Sequence, residues 1–479
     1  MATGNYSDPT PLQSAEAKPL PSITLFTMFR LGLFQIGLGM MSVMIFGVLN
    51  RILIRELGVP ATVGSIILAL TLFVAPARVW FGQMSDTKPL WGYHRTGYVW
   101  LGVVSLAVLA WLSVQVMWQV GDSLQTLGWA TPTYAWTGLL ALLFALYGVA
   151  VSACSTPFTT LLVDVSDEEN RSKLVGMDWS MLIGGTIVGA IIIGVLLKRL
   201  AIDAPIDAIQ AAIDRLFLVV PLVVVGLALL ATLGIEKKYS RYPLRSAMVH
   251  QEERITLDRA WRILTTSPQT RLFFTFLILM TMGLFMQDPV LENYGGDIFR
   301  MQIGETASLN AFWGTGTLIG LCTAGFFLTP RIGKSRTTRI GCLLVVVSLI
   351  FVVLAGFTHS QSFLKIMLLF FGVVSGIATT GAISLMFDLT AAETAGTFIG
   401  AWGLAQALAR GIATVLGGTV LDVGKQLLPN LLLAYGLVFV LQAVVMLLAV
   451  VFLKRVNVQE FRTDTKQTIA AVLESELDG

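Results

Sequence analysis

A few ionisable and amide side chains interrupt long apolar runs in this chain, and they are the residues able to do chemistry. The densest group is Gln287-Asp288-Pro289, Glu292 and Tyr294-Gly295-Gly296-Asp297. Its acids can carry protons or bind a cation at a mouth, or they can form a solvated rim. Pro289 breaks or kinks a helix and frees carbonyls, and the glycine pair permits a tight turn. Arg410 follows Gln406 by four residues, one helical turn, inside an otherwise apolar run. It is expected to face an interior, where it binds an anionic or carbonyl group or forms a structural pair. Arg78 follows Ala75-Pro76-Ala77 and is expected to snorkel or to pair with a nearby acid. Asp178 is expected to be a helix-start acid facing the cytoplasm. An ionisable group at membrane depth costs about 2.5–3.5 kcal/mol on insertion scales, so each is a candidate for function.

The depth follows from the elements that must position these residues. The mean hydropathy is +0.77 and 13% of the 479 residues are charged, which excludes a water-soluble globule. Twelve apolar stretches lie near 29–50, 60–84, 97–119, 134–163, 175–199, 215–235, 270–290, 306–329, 339–357, 362–388, 395–420 and 432–454. Each approaches the roughly 20 residues that cross a bilayer. In hydrocarbon the backbone must satisfy its own hydrogen bonds, so these stretches are helices. The class is an all-α membrane protein.

The stretches divide six and six. Residues 29–235 form one bundle and 270–456 the other, joined by a charged linker over 236–269 with a short amphipathic helix expected near 254–265. Residues 1–28 read as a polar, disordered tail, not a signal peptide, and 457–479 as a second tail. With both termini cytoplasmic, the tails and even-numbered loops hold roughly 22 of the 32 Lys and Arg, as the positive-inside rule expects. The net charge of +3 gives no sign of a nucleic-acid partner. Cys154, Cys322 and Cys342 read as small apolar helix residues. No nucleotide loop, His/Cys cluster or nucleophile motif stands out, so enzymatic chemistry is not expected.

Two motifs organise the bundles. Asp164-Val165-Ser166, Glu169 and Val175-Gly176 recur 224 residues later as Asp388-Leu389-Thr390, Glu393 and Ile399-Gly400. Each run ends the fourth helix of its half and opens the fifth. Parallel six-helix repeats are the layout of major facilitator transporters. Gly82, Asp86, Gly92 and Arg95 resemble the loop motif of that superfamily, in which an acid at a helix end pairs with basic groups of a neighbour. Arg78 with Asp86, and Asp164 with Glu169, are expected to control the cytoplasmic side, with Asp388 and Glu393 as their counterparts.

A closer resemblance lies in Asn50-Arg51, Ile54, Glu56-Leu57-Gly58-Val59-Pro60-Ala61, then Phe73-Val74-Ala75-Pro76-Ala77-Arg78. A later run reads Met286-Gln287-Asp288, Leu291-Glu292, Tyr294-Gly295-Gly296, Phe299 and Gly304-Glu305-Thr306. From about Phe29 to Val456 the chain resembles the PucC/LhaA-like proteins, the bacteriochlorophyll-delivery branch of the major facilitator superfamily. The resemblance implies a twelve-helix major facilitator fold and a role in a photosynthetic membrane, thylakoid or intracytoplasmic. It implies light-harvesting or photosystem apoproteins as partners and chlorophyll or bacteriochlorophyll as a transient ligand, with no permanent cofactor.

His94, His250 and His359 all fall in expected loops. A pigment magnesium inside the bundle would then take oxygen ligands. Gln35, Asn310, Gln406, Gln442, an acid or a backbone carbonyl would supply them. Gln35, Asn310, Gln406, Arg410, Gln287, Asp288 and Glu292 are therefore the interior candidates for substrate or pigment. Two other classes remain open: an ion- or proton-coupled transporter of another hydrophobic solute, and a pigment-free assembly scaffold.

Overall fold

The computed structural model describes residues 23–166, 168–198, 200, 204–240, 268–388 and 395–456. The first bundle holds α1 (Leu25–Glu56), α2 (Ala61–Thr87), α3 (Thr96–Leu127), α4 (Thr131–Val165), α5 (Glu168–Leu196) and α6 (Ile206–Tyr239). The second holds α7 (Pro268–Phe285), α8 (Leu291–Phe299), α9 (Ile303–Ile332), α10 (Lys334–Thr358), α11 (Gln361–Asp388), α12 (Ala395–Leu427) and α13 (Leu431–Arg455). Eleven of these helices are long and apolar enough to cross a membrane. The shorter α7, continued by α8, supplies the remaining crossing. This is an integral membrane protein. The tail over 1–22, the linker with its amphipathic helix near 254–265, His250, Glu393 and the tail from 457 lie outside the described residues.

The seventh crossing is two pieces because Pro289 has no N–H to donate. The chain leaves α7 through short-range bonds, Asp288 N to Phe285 O at 3.0 Å and Val290 N to Gln287 O at 3.0 Å. Helix α8 then runs for only nine residues and stops at Arg300, whose φ of 52° lies in the left-handed region. Helix α9 restarts at once under a capping box, with Gln302 N donating to Glu305 Oε2 at 2.9 Å. Helix α1 carries two π-helical stretches, Val43–Leu49 and Ile52–Glu56. Such bulges turn side chains out of α-register and gather at functional sites. They lie opposite the broken α7–α8 crossing.

Each bundle has its own apolar core. In the first, Phe34 and Phe158 stack with ring centroids 4.0 Å apart. In the second, Tyr294 packs edge-on against Phe439 at 5.2 Å. The bundles touch along two seams, α2 with α12 and α5 with α9. A Cβ on Gly418 of α12 would collide with Ser65 of α2, and one on Gly304 of α9 would lie 3.2 Å from Gly194 of α5. The seams hold at the end carrying residues 50–62, 289–306 and 422. At the opposite end, near the linker, Gly176 of α5 and Gly403 of α12 have nothing within 4 Å of where a side chain would begin. The exposed Trp179 of α5 and Phe326 of α9 lie towards that end. The molecule is closed at the mouth where the seams hold.

Candidate functional site

The closed mouth is sealed by polar side chains passing between the bundles. Arg51 of α1 is 1% exposed. It donates to Gln302 O and Met301 O, both at 2.9 Å, and to Thr306 Oγ1 at 2.6 Å. Met301 O is available because the α8–α9 junction is not helical, while Gln302 O, at the N-cap of α9, also accepts from Glu305 N and Thr306 N at 3.0 Å. Asn50 Nδ2 donates to Pro289 O at 2.7 Å, reaching the carbonyl beside the break. Arg55 pairs with Asp297 at 2.8 Å, and Tyr435 donates to the same carboxylate at 2.6 Å. On the other seam Asp422 of α12 caps α2. It accepts from Ala61 N at 3.0 Å, Thr62 N at 2.7 Å and Thr62 Oγ1 at 2.7 Å. Pro60 cannot cap its own helix, so the first N–H groups of α2 take an acceptor from the other bundle.

Below this seal lies a small cavity of about 50 Å³. Its polar lining is Ser42 and Thr186 from the first bundle and Asp288, Glu292, Asn310 and Arg410 from the second. Arg410 clamps Asp288 through Nη2 at 2.7 Å and Nε at 3.1 Å. Its guanidinium also lies 4.4 Å from the Phe285 ring centroid and 5.4 Å from that of Phe46. Of the two roles open to Arg410, the structural pair is the one formed. Glu292 is 2% exposed and takes one hydrogen bond, from Asn310 Nδ2 at 2.7 Å. Gln287 is buried, donating to Leu284 O at 2.8 Å and accepting from Gln442. The expected alternative of a solvated rim over 287–297 is corrected: Gln287, Glu292, Asn293 and Tyr294 are all buried, Glu292 against Gly47 of α1, Gln287 against Gln442 of α13 and Tyr294 against Phe439 of α13.

Deeper on the linker side, Gln35 Nε2 donates to Asp178 Oδ2 at 2.6 Å. Asp178 is buried, not a cytoplasm-facing acid at a helix start, because α5 begins at Glu168 and carries it a further ten residues into the bundle. Gln406 is half-buried on α12, one turn linkerward of Arg410. Gln35 and Asn310 each spend their NH₂ group on a neighbouring acid, and the amide oxygen is the atom a magnesium would need. Gln442 Oε1 is buried without a hydrogen-bond partner.

The linker end of the first bundle has its own latch. Arg95 bonds Asp86 at 2.5 Å, Asp164 at 2.9 Å and Ser85 Oγ at 2.6 Å. Glu236 crosses from α6 to accept from His94 N at 2.6 Å and Thr96 N at 2.6 Å, capping α3. The expected pairing of Arg78 with Asp86 is corrected. Helix α2 is interrupted at Val74–Pro76, which leaves Arg78 exposed near the restart, and Arg95 takes the acid. Asp164 likewise meets Arg95. Gly82 sits near Thr156 on α4, and Gly92 turns the loop at φ 78°. Glu169 lies in the first turn of α5 and Asp388 ends α11. Within the latch the two acids differ in burial, 4% exposed for Asp164 and 54% for Asp86. Asp164→Asn is expected to cost about 2 kcal/mol, because it leaves the buried guanidinium only the exposed carboxylate of Asp86. Asp86→Asn is expected to cost under about 1 kcal/mol. Thermal unfolding of the detergent-solubilised variants checks the order.

Comparison with known proteins adds kinship to this geometry. Residues 48–461 match the family described as PUCC protein. The chain belongs to the PUCC protein family. It is 30% identical over 442 residues to Protein PucC of Rhodobacter capsulatus, covering 90% of this chain and 92% of that one. It is 31% identical over 430 residues to a Rhodobacter capsulatus protein called the bacteriochlorophyll synthase 44.5 kDa chain, covering 88% and 93%. Among solved structures, an inward-facing, unoccupied bacterial homologue of the lysosomal transporter Spinster superposes with a TM-score of 0.67. It is 14% identical, covering 92% of this chain and 98% of that one. The nucleoside transporter NupG superposes with a TM-score of 0.63 at 12% identity, covering 90% and 98%. These likenesses give this PUCC family member the major facilitator fold. Its membership places it in a photosynthesis-related family.

The family match covers residues on which the closed mouth depends, Asn50, Arg51, Asp297 and Asp422 among them. Two of these roles are hidden in the sequence. Arg51 reads as a loop residue there, because two arginines so close to an apolar run look like its end. Asp422 falls just past an expected helix boundary, and its only signal is the uncapped Pro60-Ala61-Thr62 start far away in sequence.

Proposed function

We propose that this protein is a non-enzymatic handling and assembly factor for chlorophyll or bacteriochlorophyll in a photosynthetic membrane, with both termini cytoplasmic. The observation that carries the reading is kinship along nearly the whole chain, over residues 48–461, with PucC proteins of photosynthetic bacteria. The pigment, or its lipid-tailed precursor, is presented to light-harvesting or photosystem apoproteins.

The physical chemistry supports a transient rather than a permanent hold. The closed-mouth cavity of about 50 Å³ is well below the roughly 300–1,000 Å³ of pockets that enclose drug-sized ligands. A pigment would instead enter from the linker end or lie against a lipid-facing seam. His94 and His359 lie at helix margins, leaving an amide oxygen such as that of the half-buried Gln406 as the weaker magnesium ligand. Weak ligation suits delivery, because the cargo must leave.

Deletion of the gene in its photosynthetic host tests the reading. The expected result is a several-fold fall in antenna absorbance at unchanged total pigment synthesis, restored by the wild-type chain. Antenna assembly at wild-type level in the deletion strain would contradict it.

A further inference from the structure

The cavity beneath the closed mouth has an imbalance that pigment handling does not use. Three acids line or flank it, and two have an ionic partner within reach. Asp288 is held by Arg410 at 2.7 Å and Asp297 by Arg55 at 2.8 Å. Glu292 has no ion pair among the described residues. Its Oε1 accepts from Asn310, and its buried Oε2 has no hydrogen-bond partner. Arg51 is the nearest further cation in the fold around it, but its Nη1 and Nη2 go to Gln302, Met301 and Thr306, its charge is shared with Glu56 at 3.7 Å, and it makes no ion pair with Glu292.

A buried carboxylate with an unsatisfied oxygen is costly unless something positive shares its site. Beside Glu292 the lining offers oxygens suited to a hard cation: Ser42 and Thr186 hydroxyls, the Asn310 amide and the Asp288 carboxylate. At about 50 Å³ the cavity has room for an ion with roughly two or three waters. Trp313 also lines it, with an indole N–H that has no partner and could donate to such a water. With Asp288 already neutralised by Arg410, the lining is short of one positive charge.

We infer that this cavity is a binding site for one small monovalent cation, sodium or a proton, held at Glu292 between the two bundles. Ser42 and Thr186 come from the first bundle, and Glu292 and Asn310 from the second, so the ion contacts both sides of the closed mouth. Glu292 Oε1 also packs against Gly47 in the π-helical stretch of α1, which puts the site one turn from the Arg51 seal. Binding therefore favours the closed mouth, and opening it releases the ion. This goes beyond the pigment reading and does not depend on it.

The test uses the full-length protein purified in choline buffer. Its thermal midpoint is followed as sodium chloride is added at fixed ionic strength, and then as pH is lowered without sodium. The expected result is a saturable rise of about 2 °C or more in one of the two titrations. A sodium response identifies sodium and a response to pH alone identifies a proton on the Glu292 carboxyl. Glu292→Gln should remove the response. If that variant does not fold, Thr186→Val and Ser42→Ala should each weaken the apparent affinity at least about threefold for sodium. For a proton they should shift the transition pH, while leaving the ion-free midpoint near wild type. Absence of any saturable response in the wild type overturns the inference, as does an unchanged response in Glu292→Gln or in both hydroxyl variants.

Discussion

Replacing Arg51 with leucine is expected to unseal the closed mouth. The side chain is buried and makes three hydrogen bonds to the second bundle. Leucine fills much of the space but leaves Gln302 O, Met301 O and Thr306 Oγ1 without their charged donor. Hydrogen bonds from a charged group are each worth about 1.5–3 kcal/mol net, so a loss of about 3 kcal/mol is a low expectation. Part of it falls on the equilibrium between closed and open mouth, because every partner lies across the seam. A cysteine introduced by Ser65→Cys, in a chain with Cys154, Cys322 and Cys342 replaced by alanine, reports this directly. Ser65 is fully buried against α12. Its reaction with a water-soluble maleimide should rise at least about tenfold when Arg51→Leu is added.

The second large effect concerns Asp288 and Arg410. Asp288→Asn leaves the guanidinium between Phe285 and Phe46 with no anion. The Arg410 side chain is 30% exposed, so the cost is set below that of a fully buried pair, at about 2 kcal/mol. Arg410→Gln alone leaves Asp288 without its cation and should cost a similar amount. The double variant removes both charges and is expected to recover most of the stability, giving a strongly non-additive cycle. Thermal unfolding of the four proteins measures it. Additive losses would mean that the pair is not the contact that matters.

These residues also show what can be read from the chain alone. The helices are legible because hydrocarbon imposes one rule on every backbone group, and the apolar runs mark where it applies. The break at Pro289 follows from a missing donor. The pairing of polar groups is harder to read. Asp86 with Arg95 is local and its motif announces it, although Arg78 competes in sequence. Asp178 reads in sequence as a surface acid because the start of α5 is polar. Arg51 with Met301 and Asp422 with Thr62 join positions 250 and 360 residues apart. Nothing local specifies such contacts. They exist because the two bundles meet at the mouth, where a helix start without its own cap and a non-helical junction offer N–H and carbonyl groups to the other side.

Handling of a chlorophyll-type pigment for antenna assembly is the role proposed for this PUCC family protein. An absorption spectrum with pigment extraction, taken on the affinity-purified protein after gentle solubilisation of its native membrane, tests it most directly. Near-stoichiometric chlorophyll or bacteriochlorophyll, together with co-purifying light-harvesting or photosystem subunits, is the predicted result. A colourless protein free of such subunits would contradict it.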